Sequence, residues 1–565
     1  TDWLYEEEFS ITATYSFSPD SRQLAFLRFN QTSVPVFTWQ TVLNASADKT
    51  LYPQVHSLRY PRAGEQNAIV DAIVYDVHSK ALKTMQLPPQ ADSYLPRIRW
   101  TNNADQLAVF RLNRNQNKLD LFICNSKSAV ARLIYSEENK NGCIDFSLID
   151  NWSFNDDNTI LVFSEQTGYR QAFLYSANGQ KLRQLTDGKS DLTRIYAYLP
   201  ASHTLIYQAA TPTPADRQIF SLDTKKNKLS CLTTERGINS AFFSSDCSYM
   251  ILSHSDVHTP LCSILKSRDG KTQRTLLDNS QLKQKLADAD LPEKRFFSLL
   301  TERGDTLNGW IMLPDDFSSS LDITPEGFLS INSPVGEAGQ GIPLLLFQYS
   351  GPASQQVLNR FKIDWEYYLV KEKHIAVACI DPRGTDSRGT AFRNLTYMNI
   401  GQKEAADLIS AALFLAHLGI ADADRMAIWG WSYGGFQTLM TMSQADSPFR
   451  CGIAVAPVTD FRLYDSAYTE RYMQRPQTND AGYRAAALPL VADRLKGRVL
   501  LVHGLADDNV HCQNMWAYID ALVQAGIQFD MQIYPDDNHF LRQRNNYMHL
   551  YLRMTDFLQQ NLINK

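Results

Sequence analysis

From Tyr15 to about residue 290 the apolar residues fall in short alternating runs, and each run is introduced by the same phrase. An aromatic residue comes first, then a polar turn of Ser, Asp or Asn, then the period-two alternation of a half-buried strand. Phe17-Ser18-Pro19-Asp20-Ser21 leads into Leu24-Ala25-Phe26, and Trp100-Thr101-Asn102-Asn103 into Leu107-Ala108-Val109. The phrase returns at Trp152-Ser153-Phe154-Asn155-Asp156, at Tyr198-Leu199 and at Phe243-Ser244-Ser245-Asp246. The later copies stand about 45–50 residues apart, the period of a four-stranded propeller blade. A β-propeller is therefore predicted, with a β-sandwich as the alternative. The first interval, about 80 residues, is nearly two blades or one blade with a long hairpin. This makes roughly five blades, with the chain beginning inside the first; propellers close with four to eight. The preferred reading is that further propeller sequence lies N-terminal to this chain.

Near residues 291–310 the pattern changes. Leu291-Pro292-Glu293-Lys294-Arg295 reads as a linker, after which strongly apolar strands alternate with amphipathic helices, as in a parallel α/β sheet. The predicted strands are 344–347, 375–380, 426–429, 451–455 and 499–502. Residues 318–342, rich in Ser, Gly and Pro, read as an exposed insertion. The fold class is thus multidomain: residues 1–292 form the C-terminal part of a β-propeller domain, and residues 293–565 form an α/β-hydrolase domain with a doubly wound sheet.

Composition narrows the function classes. A chain of 565 residues with 44% apolar and 20% charged residues exceeds one core. Its net charge of −5 offers no electrostatic reason to expect nucleic acid as a partner. No apolar run approaches the ~18–20 residues of a spanning helix, and the first residues show no signal sequence. Either the protein is cytosolic or the chain is a mature or trimmed form. The eight cysteines include no metal-ligand spacing, so neither metal nor cofactor is expected. Cys247 and Cys262 flank a predicted strand pair and are the candidates for a hairpin disulfide.

The chemistry sits in the second half. Gly430-Trp431-Ser432-Tyr433-Gly434-Gly435 contains G-x-S-x-G between a predicted strand and a predicted helix, the context of a nucleophile elbow. A hydroxyl attacks only once a base takes its proton, so a carboxylate and a histidine must follow in that order. The strand at 499–502 runs into Ala506-Asp507-Asp508, and the strand at 531–534 into Asp536-Asp537-Asn538-His539. The expected triad is Ser432, Asp507 and His539, with Asp508 the competing acid and His503 and His511 read as packing residues. The oxyanion needs fixed donors: the backbone N–H of Tyr433 is one, and the Tyr349 hydroxyl is the candidate for the other.

Four stretches carry a resemblance. They are the elbow, the acid loop Ala506-Asp507-Asp508-Asn509-Val510-His511, the run from Ala454 to Val458 continuing to Tyr464…Tyr468-Thr469-Glu470-Arg471-Tyr472, and Asp2-Trp3-Leu4-Tyr5-Glu6-Glu7-Glu8-Phe9. On these the chain resembles the dipeptidyl peptidase IV family of the prolyl oligopeptidase clan, of a bacterial kind, over almost its whole length. The resemblance implies that Glu7 and Glu8, with Arg471 pairing to hold them, bind a substrate's free α-ammonium. It implies that Tyr433, Val458, Tyr464, Tyr468 and Val510 wall a pocket for a proline ring, and that Asn509 holds the carbonyl of the residue before it. Phe461 stands where family members often carry Trp, which implies a wider pocket tolerant of alanine. The implied activity is release of Xaa-Pro, and less well Xaa-Ala, dipeptides from peptides with free N-termini, by a homodimer that is periplasmic, secreted or at the cell surface. The family propeller is eight-bladed and begins before the double-glutamate segment, so a further N-terminal segment of the same protein is expected as a partner. The alternatives are a prolyl tripeptidyl or acylaminoacyl peptidase of the same clan, and a non-catalytic scaffold.

Overall fold

A computed structural model describes residues 2–43, 52–268, 270–301, 304–318 and 341–563. Among them are five four-stranded antiparallel sheets in succession, which are the blades. The first is built from Tyr15–Phe17, Gln23–Asn30, Ile69–Asp76 and Leu82–Thr84. Its second and third strands are separated by a two-stranded ribbon, Val36–Thr41 paired with Gln54–Arg59, so the wide first interval is one blade with a long hairpin. The polar phrase closes the turn between first and second strands. Ser18 Oγ donates to Asp20 at 2.6 Å and Ser244 Oγ to Asp246 at 2.7 Å, while the Ser18 and Ser244 N–H groups reach Gln23 O and Tyr249 O. Each turn then needs one left-handed residue, Ser21 (φ 60°) or Cys247 (φ 55°). Short hydroxyl and carboxylate side chains favour these turns because they bond locally to the backbone.

This geometry separates the two cysteines proposed for a bridge. Cys247 is buried in the turn with Met250 and Leu252, whereas Cys262 lies on the following strand and its thiol bonds to the carbonyls of Pro260 and Asp278. Both are free, as are the other six.

The last blade ends at Leu277, the helix Ser280–Ala289 follows, and an eight-stranded sheet begins at Lys294. In spatial order its strands are Lys294–Leu300, Thr306–Met312, Ala376–Asp381, Ile342–Phe347, Ala421–Trp431, Cys451–Val455, Arg498–Gly504 and Asp530–Tyr534. Along this order the first two pairings are antiparallel and the other five parallel. Each predicted strand falls inside one of these or within a residue of it. The insertion expected at 318–342 lies almost wholly outside the described residues. Helices Gln402–His417, Tyr433–Met442 and Gln513–Gln524 cover one face through Leu408, Leu439 and Met515. Trp365–Lys373 and Asn546–Leu558 cover the other through Leu369 and Met554. Covering both faces is why the central strands read as unbroken apolar runs.

Buried ion pairs join the two parts. Arg114 makes two 2.6 Å bonds to Glu470, and Arg170 bonds Asp386 at 2.7 and 2.8 Å. The short helix Trp3–Phe9 lies at the same junction. It is capped by Asp2 and anchored by Leu4, Tyr5 and Phe9, with the Tyr5 hydroxyl accepting from Leu95 N–H at 3.1 Å.

Candidate active site

The strand Ala421–Trp431 turns directly into the helix Tyr433–Met442, and Ser432 occupies the turn at φ 60°, ψ −118°. A non-glycine residue holds this conformation only when its surroundings impose it. Here the Ser432 N–H is bound to Val455 O at 2.8 Å, and Phe436 N–H returns to Ser432 O at 3.0 Å. The neighbouring glycines make the crossing possible. A Cβ on Gly430 would lie 2.5 Å from Gly434 C, and one on Gly434 would lie 2.6 Å from Gln348 O.

Asp507 follows the strand Arg498–Gly504 and is fully buried. It accepts from His539 Nδ1 at 2.7 Å and from the N–H groups of Asn509 and Val510 at 3.0 and 2.9 Å, and His503 Nε2, which bonds the Val510 carbonyl at 2.8 Å, lies 3.2 Å from it. Burial opposes ionisation, but the two histidines outweigh it and hold the carboxyl far below the usual range. Asp508 has no hydrogen bond to His539 among the described residues. His539 follows Asp530–Tyr534, and Trp431 Nε1 fixes its carbonyl at 3.0 Å. Burial lowers the imidazole pKa and Asp507 raises it, with the net shift upward. The Ser432 hydroxyl is not hydrogen-bonded to His539; both open onto one cavity of about 550 Å³.

Tyr349, Tyr464, Tyr468 and Asn509 line that cavity, as do Glu7 and Glu8. Tyr349 is pushed up to about 12 by burial and by the Glu8 charge, so its hydroxyl keeps its proton and can donate. The Tyr433 N–H begins the helix after the nucleophile, while its side-chain hydroxyl is committed to Glu404 at 2.9 Å. Glu8 lies 3.4 Å from Arg471 Nη2, and that guanidinium also reaches Glu8 O at 3.2 Å and Gln116 at 2.8 Å. Burial lifts the Glu8 carboxyl to about 7 against the pull of Arg471, with Glu7 adding to the rise.

Several expected residues sit differently from their sequence reading. Arg471 pairs with Glu8 alone; Glu7 is exposed and is held by Asn509 Nδ2 at 2.7 Å. Asn509 is therefore already engaged, since its Oδ1 also accepts from Tyr464 at 2.7 Å. Val458, Val510, Phe461 and the Tyr433 ring are buried behind the cavity surface. Phe461 packs edge-on against Phe436 at 4.9 Å and beside Tyr433 at 5.9 Å, so it backs the wall and does not set its width. His511 is a packing residue, stacked on Phe37 at 3.4 Å and pushed down to about 3 by burial, whereas His503 touches the acid.

Phe347, Trp429, Trp431 and Tyr551 also line the cavity and were not anticipated, and neither were Lys362, Asp364, Glu366 and Arg542. The aromatic residues come from two strands and one helix and read in the sequence as ordinary core. Among the described residues no His, Cys, Asp and Glu cluster suits a metal, and no helix is long and apolar enough to cross a membrane.

Comparison with known proteins matches residues 1–261 to the dipeptidyl peptidase IV N-terminal region and residues 360–565 to the prolyl oligopeptidase family. A protein of Metarhizium robertsii named probable dipeptidyl-aminopeptidase B is 31% identical over 99% of this chain and 62% of its own length. A probable dipeptidyl peptidase 4 of Neosartorya fischeri is 30% identical over 99% of this chain and 73% of its own. The crystal structure of Porphyromonas gingivalis dipeptidyl peptidase 4 superposes with a TM-score of 0.92 at 40% identity, covering 100% of this chain and 76% of that one. This chain therefore spans only part of the length of these relatives. With a propeller and a hydrolase sheet meeting at one cavity and these relationships extending over both, the chain belongs to the dipeptidyl peptidase IV family of serine peptidases.

Proposed function

We propose that the protein is a serine exopeptidase that releases dipeptides, with proline preferred at the second position, from peptides with a free N-terminus. The observation that carries this reading is that Glu7 and Glu8 line the same cavity as Ser432 and His539. Arg471 offsets the Glu8 carboxylate and only the neutral Asn509 amide holds Glu7, so the pair keeps one negative charge to be met by a ligand cation, and a substrate α-ammonium meets it. The clamp lies a short reach from the nucleophile, so it acts as a ruler that admits two residues before the scissile bond. A longer N-terminal extension would bury an uncharged amide against the carboxylates, which disfavours endoproteolysis and acylaminoacyl substrates.

In the proposed mechanism His539 takes the Ser432 proton, and Asp507 holds the imidazole by Nδ1 and stabilises its cationic form. The Tyr349 hydroxyl and Tyr433 N–H donate to the oxyanion. His539 then protonates the leaving nitrogen, and water releases the dipeptide from the acyl-enzyme. Tyr464 and Tyr468, packed edge-on with ring centroids 5.4 Å apart, offer flat faces suited to a pyrrolidine ring. A homodimer is part of the same reading. It is supported by Asp530–Tyr534, the last strand of the sheet, with Met531 exposed, and by Met548 and Leu552 exposed on the helix that follows. A panel of Gly-Pro, Ala-Ala, Ala-Ala-Pro and acetylated Gly-Pro anilides tests the assignment. Gly-Pro turnover well above the other three is expected, and preference for the acetylated or tripeptidyl substrate would overturn it.

A further inference from the structure

The cavity lining carries charges that the dipeptide ruler does not use. Lys362 Nζ is paired with Asp364 at 2.9 Å. Arg542 differs: it forms no ion pair and no hydrogen bond among the described residues, yet it lines the catalytic cavity. Its guanidinium rests on two aromatic faces, 5.8 Å from the Phe540 centroid and 5.6 Å from that of Tyr547. The Phe540 ring is in turn 5.7 Å from the His539 ring, so two ring contacts connect Arg542 to the general base. Aromatic support of this kind orients an arginine and leaves its N–H fork unspent. Glu7 and Glu8 are tied to Asn509 and Arg471 and share neither ion pair nor hydrogen bond with Arg542.

A substrate held by its ammonium and cleaved at Ser432 must send its leaving residues past His539, because that imidazole delivers the proton to the departing nitrogen. Each extended residue advances the chain by about 3.4 Å, and the guanidinium is two ring contacts, of 5.7 and 5.8 Å, from the His539 imidazole, so a terminal carboxylate or an acidic side chain on the first two leaving residues is the group that comes toward it. We infer that Arg542 binds a carboxylate on the leaving portion of the substrate, directing the enzyme toward short peptides whose C-terminus, or an acidic side chain, falls within two residues of the cut. The inference rests on the dipeptidyl reading above and adds a specificity residue on its far side.

The two sources of carboxylate are separated by two substrate pairs: Gly-Pro-Ala against its C-terminal amide, and Gly-Pro-Ala-Glu-amide against Gly-Pro-Ala-Gln-amide. The expected result is a preference of about three- to tenfold in kcat/KM for the charged member of at least one pair. The pair that shows it identifies the source. In Arg542→Gln the preference falls to near unity, and in Arg542→Lys part of it survives. Equal rates within both pairs for the unmodified protein, or a preference retained in Arg542→Gln, overturns the inference while leaving the dipeptidyl reading in place. If no dipeptide is released from any of the four, the dipeptidyl reading itself fails and the inference with it.

Discussion

Replacing Glu8 with Gln isolates the clamp from the chemistry. The Glu8 side chain is only 8% exposed and sits 3.4 Å from Arg471, so its bond to a substrate ammonium forms largely out of water. A charge-assisted hydrogen bond contributes about 1.5–3 kcal/mol, and each 1.36 kcal/mol is tenfold in rate. Glu8→Gln should therefore lower kcat/KM for Gly-Pro-anilide by about 10- to 150-fold, toward the upper end because Arg471 is left as an unneutralised cation beside the incoming ammonium. Glu7, exposed and bonded to Asn509, should cost less when changed to Gln. A small acyl ester has no ammonium and should lose little from either change. The pH profile gives a second readout. Glu8 must be ionised to bind the ammonium, so the burial that lifts it to about 7 makes dipeptide turnover fall as the pH drops below 7. His539 must be neutral to act as base, and its raised pKa gives an acid limb on ester turnover as well. In Glu8→Gln the peptide profile should contract to the ester profile. The same shift affects stability. Glu8 favours the fold in its protonated form, so this contribution is full below about 4.5 and is lost as the pH rises through about 7. Equal losses on anilide and ester, or an unaltered acid limb, would show the pair to be structural and refute the reasoning.

Ser432→Ala should abolish turnover and fluorophosphonate labelling while the thermal midpoint holds or rises, because the strained turn keeps its glycines and loses only a hydroxyl. Asp507→Asn should cut kcat by about 10⁴ with little change in KM, since an amide in place of the carboxylate misorients His539; single-turnover kinetics would check it. Gly434→Ala should destabilise the hydrolase part by about 1–3 kcal/mol or more, because the new methyl would sit 2.6 Å from the Gln348 carbonyl; urea titration should show the lower midpoint.

What the sequence disclosed depended on whether a signal was contiguous. The elbow at 430–435 is legible because strand, strained serine and helix are adjacent, and both glycines are needed for a crossing of backbones. The loops that carry the candidate acid and base were legible because each directly follows an apolar strand, but Asp507 and Asp508 are adjacent there, and only the 2.7 Å contact of His539 Nδ1 with Asp507 separates them. Blade turns such as Ser18–Asp20 were legible because a short-range side-chain bond recurs at three of them, Ser18–Asp20, Ser153–Asn155 and Ser244–Asp246. The 80-residue interval could not be resolved by pattern alone, because the ribbon Val36–Thr41 and Gln54–Arg59 has the same alternation as a blade strand and differs only in what it pairs with. Phe461 read as a pocket residue by position, but an edge contact to Phe436 and a tilted one to Tyr433 draw it behind the surface. Arg542 gave no signal, because an arginine three residues past a histidine acquires meaning only when the fold turns it into the cavity.

The ruler depends on a joint between two parts that fold around different cores. Glu7 and Glu8 sit on a helix of seven residues, too short to hold its place alone. Tyr5 and Phe9 sink one side of that helix among Tyr94, Phe29 and Phe146 of the propeller, while Arg471 holds Glu8 from the hydrolase part. Arg471 belongs to the helix Ser466–Met473, which also carries Glu470, the partner of propeller Arg114, and Tyr468 of the cavity wall. About one turn of helix thus joins the interdomain ion pair, the clamp and the ring pocket, so a displacement of the propeller moves clamp and pocket together. In the proposed function, specificity for a dipeptide is then a property of the docked pair of domains, and the buried Arg114–Glu470 bonds fix the length that the ruler measures.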